Sequence, residues 1–453
     1  MAGGKIVLQG TIELLSPTLI GSGRDDHTDV DVLHDVDGKP FIPATSLVGV
    51  LKHFIKLDDS YKDDLKRFWG FTSEEKISEK EVEQQSSLCC SDLTLISGSD
   101  KPVVRDGIEI DNKNGIVAKG AKYDYQVVER GAKFRLNLGV NLTDSNKSFA
   151  RQMIATIRKA LEMESIQIGA KTNSGLGKIR LSDSHVCEFN FSKKTDVLQW
   201  LKKDFSTPNP FTEVPFNIAN GVFTINTIFR LKNSFISRSY SADPKAPDAV
   251  SIKSGNDFVL TGASLKGVIR SRAERILNTV FDNKIEKSKL VLTRLFGDVD
   301  EKNSSKRAVK GKVRVDETLL PNFSSELQTR IKIDRFTGGT IETALFETMP
   351  LFADDDKNKQ IKDVKITIRD YEDHEAGLML LVLKDLWTGD LAVGGEKAVG
   401  RGVFEGVRAD ITWDNTTVTL EEGFAGLSSE NKEQLEKFIT ALKDFKEEAH
   451  ERS

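Results

Sequence analysis

The sequence is poor in cysteine and has no long apolar run, and each absence excludes a class of protein. Its cysteines, Cys89, Cys90 and Cys187, form no CxxC pair and have no histidine cluster beside them, which excludes a disulfide framework and a zinc site of usual spacing. No apolar run approaches the ~20 residues that span a bilayer. Because residues 1–10 hold no apolar segment of signal-peptide length, we predict a cytoplasmic protein with reduced thiols.

The chain also lacks an excess of positive charge, since its 453 residues carry a formal net charge of −4. The charge is nevertheless segregated along the sequence. Residues 265–314 contain 14 Lys and Arg against 6 Asp and Glu, whereas residues 421–453 contain 5 against 9. Such segregation allows a basic groove for nucleic acid on a nearly neutral protein. A solvated helix face followed by a loop is the alternative interpretation.

The most informative feature is an internal repeat. Four short motifs of the first half return in the same order in the second half, at offsets between 218 and 227 residues. The pairs are Pro43–Val50 with Thr261–Val268, Phe68–Phe71 with Leu295–Asp298, Ile110–Gly115 with Ile333–Gly338, and Ile168–Gly177 with Val393–Gly402. Four collinear matches indicate a duplicated domain, and the chain length suits two domains of roughly 200 residues.

Each half has the same order of predicted elements. The first half has strand patterns at Lys5–Leu15, at Lys133–Leu142 and after Gly175, with helices after Thr45 and over Lys147–Glu164; the second has strands Gly221–Leu231, Val364–Arg369 and Gly400–Ile411, with helices Ala263–Phe281 and Glu375–Trp387. This order predicts an α+β fold of two tandem ferredoxin-like domains. We place them at residues 1–207 and 213–424, because prolines at 208 and 210 mark a linker. Residues 425–453 are predicted to form a charged C-terminal helix that docks on the body or on a partner.

Two glycine-rich loops, residues 169–177 and 394–402, are predicted to contact phosphate. Glycines let backbone N–H groups approach an anion closely, and the flanking Lys171, Lys178, Lys397 and Arg401 add positive charge. The spacing is not that of a GxxxxGK[ST] nucleotide-binding loop, so an RNA backbone is the preferred ligand. A tight turn with incidental lysines is the alternative.

Two helix N-termini are further candidate anion sites, with Ser46 and Ser264 as predicted N-caps. Cations follow each serine in the first turns of the helix. The residues concerned are Lys52 and His53 after Ser46, and Lys266 and Arg270 after Ser264. The segment Asp334–Gly339 combines Arg335 with an aromatic ring, which would let it hold a phosphate and stack a base. A turn between two strands is the alternative for this segment.

An acidic loop after the first strand is the candidate for chemistry. Residues 24–31 contain four aspartates, Asp25, Asp26, Asp29 and Asp31, together with one histidine and one arginine. Crowded carboxylates either bind a divalent cation or raise one another's pKa, and either effect would help to activate a hydroxyl beside a phosphate. A solvated acidic turn is the alternative. The matching loop of the second half keeps only Asp243 and Asp248, so weaker or absent chemistry is expected there.

The motifs together resemble the RAMP superfamily, in particular the backbone subunits of type III CRISPR RNA-guided effector complexes. The motifs that carry the resemblance are Leu19–Gly23, Asp35–Pro43, Thr45–Gly49, Ile110–Gly115 and the glycine loop in the first half, and Gly262–Gly267, Ile333–Gly339 and Gly400–Gly402 in the second. The resemblance covers nearly the whole chain except the C-terminal segment. Two copies in one chain resemble the fused backbone subunits of some type III variants.

This resemblance implies guide RNA, complementary target RNA and other effector subunits as partners. It implies that a β-hairpin thumb, near Asn112–Val128 and near Phe336–Phe352, pushes apart a base pair of the guide–target duplex. It also implies that a loop aspartate cleaves the target RNA with a divalent cation, Mg²⁺ being the first choice. We rank Asp26 and Asp29 first, as catalytic residues and metal ligands, followed by Asp31 and Asp25, with Asp248 and then Asp243 in the second copy.

Two other functions stay open at this point. The chain could be a purely structural RNA-binding subunit whose acidic loop does no chemistry. It could also be a guide-processing endonuclease, but such enzymes usually need a general base such as histidine. The six histidines show no repeated placement in the two halves.

Overall fold

Alternating apolar residues near the start of each half form an interior strand of each main sheet in the computed structural model. The structure describes residues 3–23, 28–71, 84–111, 114–205, 211–218, 221–239, 245–299, 308–354, 359–424 and 427–446. It consists of two units, residues 1–107, 123–172 and 176–219, and residues 108–122, 173–175 and 220–453. The predicted linker prolines lie outside the described residues.

The first copy is built around one antiparallel sheet. Its strands are β1 (Gly4–Leu14), β2 (Gly21–Gly23), β3 (Asp31–Val32), β4 (Phe41–Ile42), β5 (Leu88–Cys90), β6 (Leu93–Ser97), β7 (Val103–Ile110), β8 (Val117–Val127), β9 (Lys133–Leu142) and β10 (Ile179–Asn190), and its helices are α1 (Ala44–Phe54), α2 (Lys62–Trp69), α3 (Lys147–Glu162) and α4 (Lys194–Leu201). The sheet order is β10-β1-β9-β6-β4, with β5 also paired to β9. Strands β7 and β8 form a separate hairpin.

Side-chain alternation decides which face of this sheet is covered by α3. On β1, Ile6, Leu8 and Ile12 are fully buried on one face, opposite Val140, Leu138 and Phe134 of β9. The buried residues Ile154, Ile157 and Leu161 of α3 belong to the same core. Val7 points to the other face and packs with Cys187 and Phe189, against Trp200 of α4.

The second copy has its own sheet and an added helix. Its strands are β11 (Val222–Leu231), β12 (Arg238–Ser239), β13 (Val250–Ser251), β14 (Lys253–Ser254), β15 (Asp257–Leu260), β16 (Gly297–Val299), β17 (Ala308–Lys310), β18 (Val313–Val315), β19 (Thr318–Leu320), β20 (Phe323–Ser325), β21 (Gln328–Ile333), β22 (Thr340–Thr348), β23 (Leu351–Ala353), β24 (Gln360–Arg369), β25 (Phe404–Trp413) and β26 (Thr416–Glu421), and its helices are α5 (Gly262–Val280), α6 (Ile285–Phe296), α7 (Asp373–Trp387) and α8 (Ser429–Asp444). The sheet order is β18-β24-β11-β25-β26, and β21 pairs with β22 as a hairpin.

Strand order confirms the predicted fold in both copies. In the first copy the last strand, β10, lies beside the first, β1, which pairs on its other side with β9. In the second copy β25, β11 and β24 repeat this arrangement. A helix joins β9 to β10 and another joins β24 to β25, as the ferredoxin-like α+β fold requires.

The C-terminal helix α8 docks on the body of the second copy. Its buried residues Leu435, Phe438 and Leu442 belong to the core of that copy. The contact with α7 is close, because a Cβ added at Gly377 would lie 2.1 Å from the carbonyl oxygen of Phe438. No helix within the described part of the chain is both long and apolar enough to cross a membrane.

The predicted thumb hairpins exist, but their predicted bounds were wrong. The ranges Asn112–Val128 and Phe336–Phe352 include the second strand of each hairpin but leave out the first strand. The first strands are β7 and β21, which begin at Val103 and Gln328. Both strands were missed because each runs directly into a repeated turn motif, Ile110–Gly115 or Ile333–Gly338.

Candidate active site and nucleic-acid interface

Asp29 lies where the acidic loop meets the base of the β7–β8 hairpin. Val30 forms a parallel bridge with Tyr125, and the Gln126 N–H donates to the Val30 carbonyl at 3.0 Å. The Asp29 N–H donates to Asp124 Oδ1, and the Asp124 N–H donates to Asp29 Oδ2, each at 3.1 Å. Asp29 is exposed, so its carboxylate is held against the hairpin yet is open to solvent.

The second copy repeats this junction with different residues. Ala249 forms a parallel bridge with Thr348, and its N–H donates to the Glu347 carbonyl at 3.3 Å. The Glu347 N–H in turn donates to Asp248 Oδ2 at 2.9 Å. Asp248 is exposed and stands one residue before the bridge, as Asp29 does. The two aspartates are therefore structural equivalents.

The other loop aspartates do not share this placement. Asp31 is only 4% exposed and accepts a hydrogen bond from the Thr28 hydroxyl. Its burial argues against the predicted catalytic role, and we assign it to the structure of the loop. Asp25, Asp26 and Asp243 lie outside the described residues, so their predicted roles stay predictions.

Lys171 joins the first glycine loop to the same hairpin. Its ammonium donates to the Tyr123 hydroxyl at 2.9 Å and lies 4.3 Å and 4.8 Å from the ring centroids of Tyr123 and Tyr125. These contacts hold the lysine beside the strand that carries Asp124. The predicted phosphate contact would have to be made from this position.

Glu396 takes the place of Lys171 in the second copy. Both residues have left-handed backbone conformations, with φ of 55° at Lys171 and 56° at Glu396. The Glu396 carboxylate pairs with three arginines, Arg238 at 2.9 Å, Arg330 at 3.1 Å and Arg401 at 2.7 Å. Burial opposes its ionisation, but the hydrogen bond from Arg238 and the neighbouring arginine charges outweigh burial and lower the pKa of Glu396.

This pairing corrects the prediction that Arg401 binds RNA. Arg401 is 3% exposed and also donates to Ser234 Oγ at 3.0 Å. Its guanidinium is therefore used inside the second copy. Lys178 is likewise paired, with Glu164 at 2.7 Å, which leaves little free charge for a phosphate.

Two glycines of the loops serve close chain packing rather than anion binding. The Gly177 N–H donates to the Pro17 carbonyl at 2.9 Å, and the Gly402 N–H donates to the Ser234 carbonyl at 2.7 Å. An added Cβ would lie 2.0 Å from the Ile168 carbonyl oxygen at Gly177 and 1.7 Å from that of Val393 at Gly402. For these two N–H groups, the predicted phosphate cradle is wrong.

The helix N-termini also differ from the prediction. Helix α1 begins at Ala44, whose N–H donates to an Asp92 carboxylate oxygen at 2.8 Å, so an acid already occupies this end. In α5 the N-cap is Thr261, which accepts from the Ser264 N–H at 3.3 Å. Ser46 and Ser264 therefore lie inside their helices and are not N-caps.

Lys52 and His53 lie in the last turn of α1, at the opposite end from the predicted anion site. Cations there interact favourably with the helix dipole. Both side chains are exposed. A contact with RNA, if they make one, would be separate from the helix N-terminus.

Within the part of the second copy that the structure describes, some positive charge has no acidic partner. Lys266 and Arg270 lie one turn apart on α5, and burial together with the Arg270 charge lowers the pKa of Lys266 to about 8. Burial and the charge of Arg275 lower the pKa of Lys397. Each shift shows a cation that faces another cation, and a phosphate placed there would relieve this repulsion.

The tips of both hairpins are turns closed by an aspartate. The Gly115 N–H donates to the Asp111 carbonyl at 2.7 Å, and the Phe336 N–H donates to Asp334 Oδ1 at 2.7 Å. Phe336 is fully exposed, at 100%. Apolar side chains exposed along the two hairpins include Ile108, Ile110, Ile116, Val117, Ile331, Ile333 and Leu345. The Phe336 ring offers a surface on which a base can stack, and aliphatic side chains of this kind can wedge between bases.

Sequence reasoning had missed Asp124 and Glu347, the hairpin residues that meet the loop aspartates. Neither lies in one of the four repeated motifs. The available signal was the pattern Tyr123-Asp-Tyr125, in which an acid alternates with two rings on a strand. Without the pairing of loop and hairpin, that pattern does not indicate a partner.

The sequence model of the RAMP superfamily matches residues 11–180 and again residues 215–405. The chain belongs to the RAMP superfamily. Since the two matches coincide with the two ferredoxin-like copies, each copy is a RAMP domain, and the predicted tandem arrangement is confirmed.

The chain is also similar to solved structures. No curated protein matches the sequence. A chain in the structure described as "Cryo-EM structure of the Type III-B Cmr-beta bound to cognate target RNA" is similar, with a TM-score of 0.32 and 13% sequence identity. The similarity covers 39% of this RAMP protein and 96% of that chain.

Proposed function

We propose that this RAMP protein is a guide-RNA-binding backbone subunit of a type III CRISPR effector complex, and that it cleaves complementary target RNA at Asp29. The observation that carries the proposal is the equivalent placement of Asp29 and Asp248, each exposed and each bonded to the base of a hairpin. A duplicated domain that keeps an exposed carboxylate in this place suggests chemistry at both copies.

The position of Asp29 suits proton transfer. The Asp124 N–H donates to Asp29 Oδ2, which fixes the orientation of this carboxylate. An oriented carboxylate can accept the proton of a hydroxyl that attacks the adjacent phosphate. We therefore assign Asp29 as the general base for cleavage in the first RAMP domain.

The residues present also fit a divalent cation shared with the RNA. Mg²⁺ is usually held by one or two carboxylates together with waters and substrate phosphates. Among the described residues no group of three His, Cys, Asp or Glu could hold a metal alone, whereas Asp29 offers an exposed oxygen ligand. Asp26 stays a predicted second ligand. The ion would supply positive charge to stabilise the phosphate during cleavage.

Asp248 is the proposed cleaving residue of the second RAMP domain. The sequence predicted weaker or absent chemistry there, because the loop of the second domain has fewer aspartates than that of the first. The hydrogen bond from the Glu347 N–H nevertheless holds Asp248 as the equivalent bond holds Asp29. We therefore propose two cuts for each chain, one at each copy.

The proposed RNA contacts lie on α5 and on the hairpins. Lys266, Arg270 and Lys397 provide charge that no acid among the described residues neutralises, which suits a phosphate backbone. The exposed Phe336 at the tip of the second hairpin would stack on a base when the hairpin enters the guide–target duplex. Contacts of this kind position RNA without reading its sequence.

The proposal is tested by mapping cleavage products of single and double variants. The effector complex is assembled with guide RNA around chains carrying Asp29→Ala, Asp248→Ala or both, and given complementary target RNA with Mg²⁺. We expect each single variant to remove a different product end by at least about a hundredfold, the usual scale for a general base. Asp37→Ala, an exposed aspartate outside the junction, is the matched control.

Two outcomes would contradict the proposal. If the double variant gives the same products as the wild type, the chain is a structural RNA-binding subunit that does no chemistry. Loss of guide RNA from the complex in the Asp29→Ala variant would mean that the aspartate supports assembly instead of cleavage.

A further inference from the structure

The junctions of loop and hairpin differ between the two RAMP domains. In both, a hairpin N–H donates to Oδ2 of the loop aspartate. In the first domain a second bond runs the other way, from the Asp29 N–H to Asp124 Oδ1 at 3.1 Å. Glu347, which matches Asp124, directs its carboxylate to the Thr329 hydroxyl at 3.5 Å. The Asp124 carboxylate therefore holds its loop to the hairpin, whereas the Glu347 carboxylate does not hold the matching loop.

We infer that Asp124 is the positioning residue for Asp29, holding the catalytic loop on the thumb hairpin through the Asp29 N–H. This inference rests on the proposed cleavage at Asp29. Asp124 would not contact the RNA, and its role would be to fix the main chain from which the Asp29 carboxylate projects.

The two reciprocal bonds fix both parts of Asp29. The bond to Oδ2 orients the side chain, and the bond from the N–H holds the backbone. The neighbouring residues are also tied, because Thr28 bonds to Asp31 and Val30 pairs with Tyr125. Without the Asp124 carboxylate, the Asp29 N–H would need water as its acceptor, and the carboxylate would lose part of its fixed orientation.

The hairpin side of the junction is itself anchored. Tyr123 and Tyr125 flank Asp124 and are stacked, with ring centroids 6.0 Å apart. Lys171 lies over both rings, so the strand that carries Asp124 is held to the glycine loop. Asp124 therefore links a fixed part of the hairpin to the catalytic loop, and a shift of this part of the hairpin would be transmitted to Asp29.

The decisive comparison is between Asp124→Ala and Asp124→Asn in the assembled complex with guide RNA, target RNA and Mg²⁺. Asparagine keeps an oxygen acceptor for the Asp29 N–H, whereas alanine removes it. We expect alanine to slow single-turnover cleavage at the first cut by about tenfold, the effect of losing one hydrogen bond to a charged group. Asparagine should restore the rate to within about threefold of the wild type, because a neutral acceptor is somewhat weaker.

Two internal controls separate positioning from general damage. Cleavage at the second cut and the affinity for target RNA should stay unchanged in both variants, since Asp124 bonds to the loop of the first domain and is not among the side chains proposed to bind RNA. Asp37→Ala removes an exposed acid that lies outside the hairpin and the junction, and it should leave both cuts at wild-type rates.

The outcomes distinguish this inference from the proposed function. If Asp29→Ala abolishes the first cut but Asp124→Ala leaves its rate unchanged, the positioning role is refuted and cleavage at Asp29 stands. If asparagine is as damaging as alanine, the negative charge of Asp124 matters more than its acceptor, which also refutes the inference. If Asp29→Ala cleaves normally, the proposed function itself fails.

Discussion

At the scale of single residues, the cations of the second RAMP domain differ in the charge of the group that each one faces. Arg401 and Arg272 face the carboxylates of Glu396 and Asp385, at 2.7 Å and 2.6 Å. Lys266 faces Arg270 instead. A paired cation has little charge left for a ligand, so the residues suited to RNA are those whose neighbours leave them unneutralised.

We predict that RNA affinity falls as the pH rises from 7 to 9. The pKa of Lys266 is lowered to about 8, so this lysine loses its charge in that range, whereas an ordinary lysine stays charged. If RNA binding restores the charge, one proton must be taken up, and the affinity should fall about tenfold between these pH values. Binding of a short single-stranded RNA to the full chain at both pH values measures the effect.

Lys266→Arg is the informative variant, because arginine stays charged over the whole range. It should bind with nearly the same affinity at pH 7 and pH 9. Lys432→Arg on α8 changes an exposed lysine away from α5 and should retain the wild-type pH dependence. An equal pH dependence in the wild type and in Lys266→Arg would assign the titration to another group.

At the scale of elements, the hairpins combine a fixed base with an exposed tip. The base of the first hairpin is tied to the loop and to Lys171, whereas the tip of the second exposes Phe336 entirely. An apolar side chain with no packing partner adds nothing to folding. Its presence at a hairpin tip is consistent with insertion between bases.

We predict that Phe336→Ser leaves stability unchanged but weakens base unstacking. Because the ring is fully exposed, the free energy of unfolding should stay within about 0.5 kcal/mol of the wild type. The fluorescence of 2-aminopurine, placed at successive target positions in the assembled complex, reports base unstacking as an increase. In the Phe336→Ser variant this increase should be absent at one position. Leu327→Ser, a change at an exposed residue before the hairpin, should keep the increase. A destabilised chain or an unchanged fluorescence profile would contradict the prediction.

The sequence predicted the elements well where their periodicity is local. Strand β9 was predicted with its observed bounds, and α3 ends two residues before its predicted end. The first strands of the hairpins were missed because β7 and β21 are largely exposed and lack a buried face that would impose regular alternation. The caps were misplaced because the first helical residue depends on Asp92 and Thr261 as acceptors.

At the scale of the whole molecule, a net charge of −4 conceals a local positive surface. Salt should therefore weaken RNA binding in proportion to the phosphates contacted, whatever the total charge of the chain. Part of the charge of the basic stretch 265–314 is neutralised within the protein, since Arg272, Arg294, Lys312 and Arg314 pair with acids.

We predict that Lys266→Ala with Arg270→Ala reduces the salt dependence of RNA binding. The slope of log affinity against log salt should become shallower by about 1.4, because each lost phosphate contact to single-stranded RNA contributes about 0.7. Lys432→Ala with Lys437→Ala removes two charges from exposed ion pairs on α8 and should leave the slope unchanged. A slope that changes equally in both double variants would mean that total charge, not the α5 pair, governs binding.

The sequence by itself determined the duplication, the α+β class and the family, because these follow from motif order and from periodicities that each segment carries alone. It also brought Asp29 and Asp248 into the short set of candidate residues. Only the tertiary structure decided which carboxylates are exposed and what holds them. Asp29 meets Asp124 from 95 positions away, and Arg401 meets Ser234 from 167 positions away. A side chain's solvent exposure and hydrogen-bond partners depend on such distant segments, and local periodicity contains no information about them.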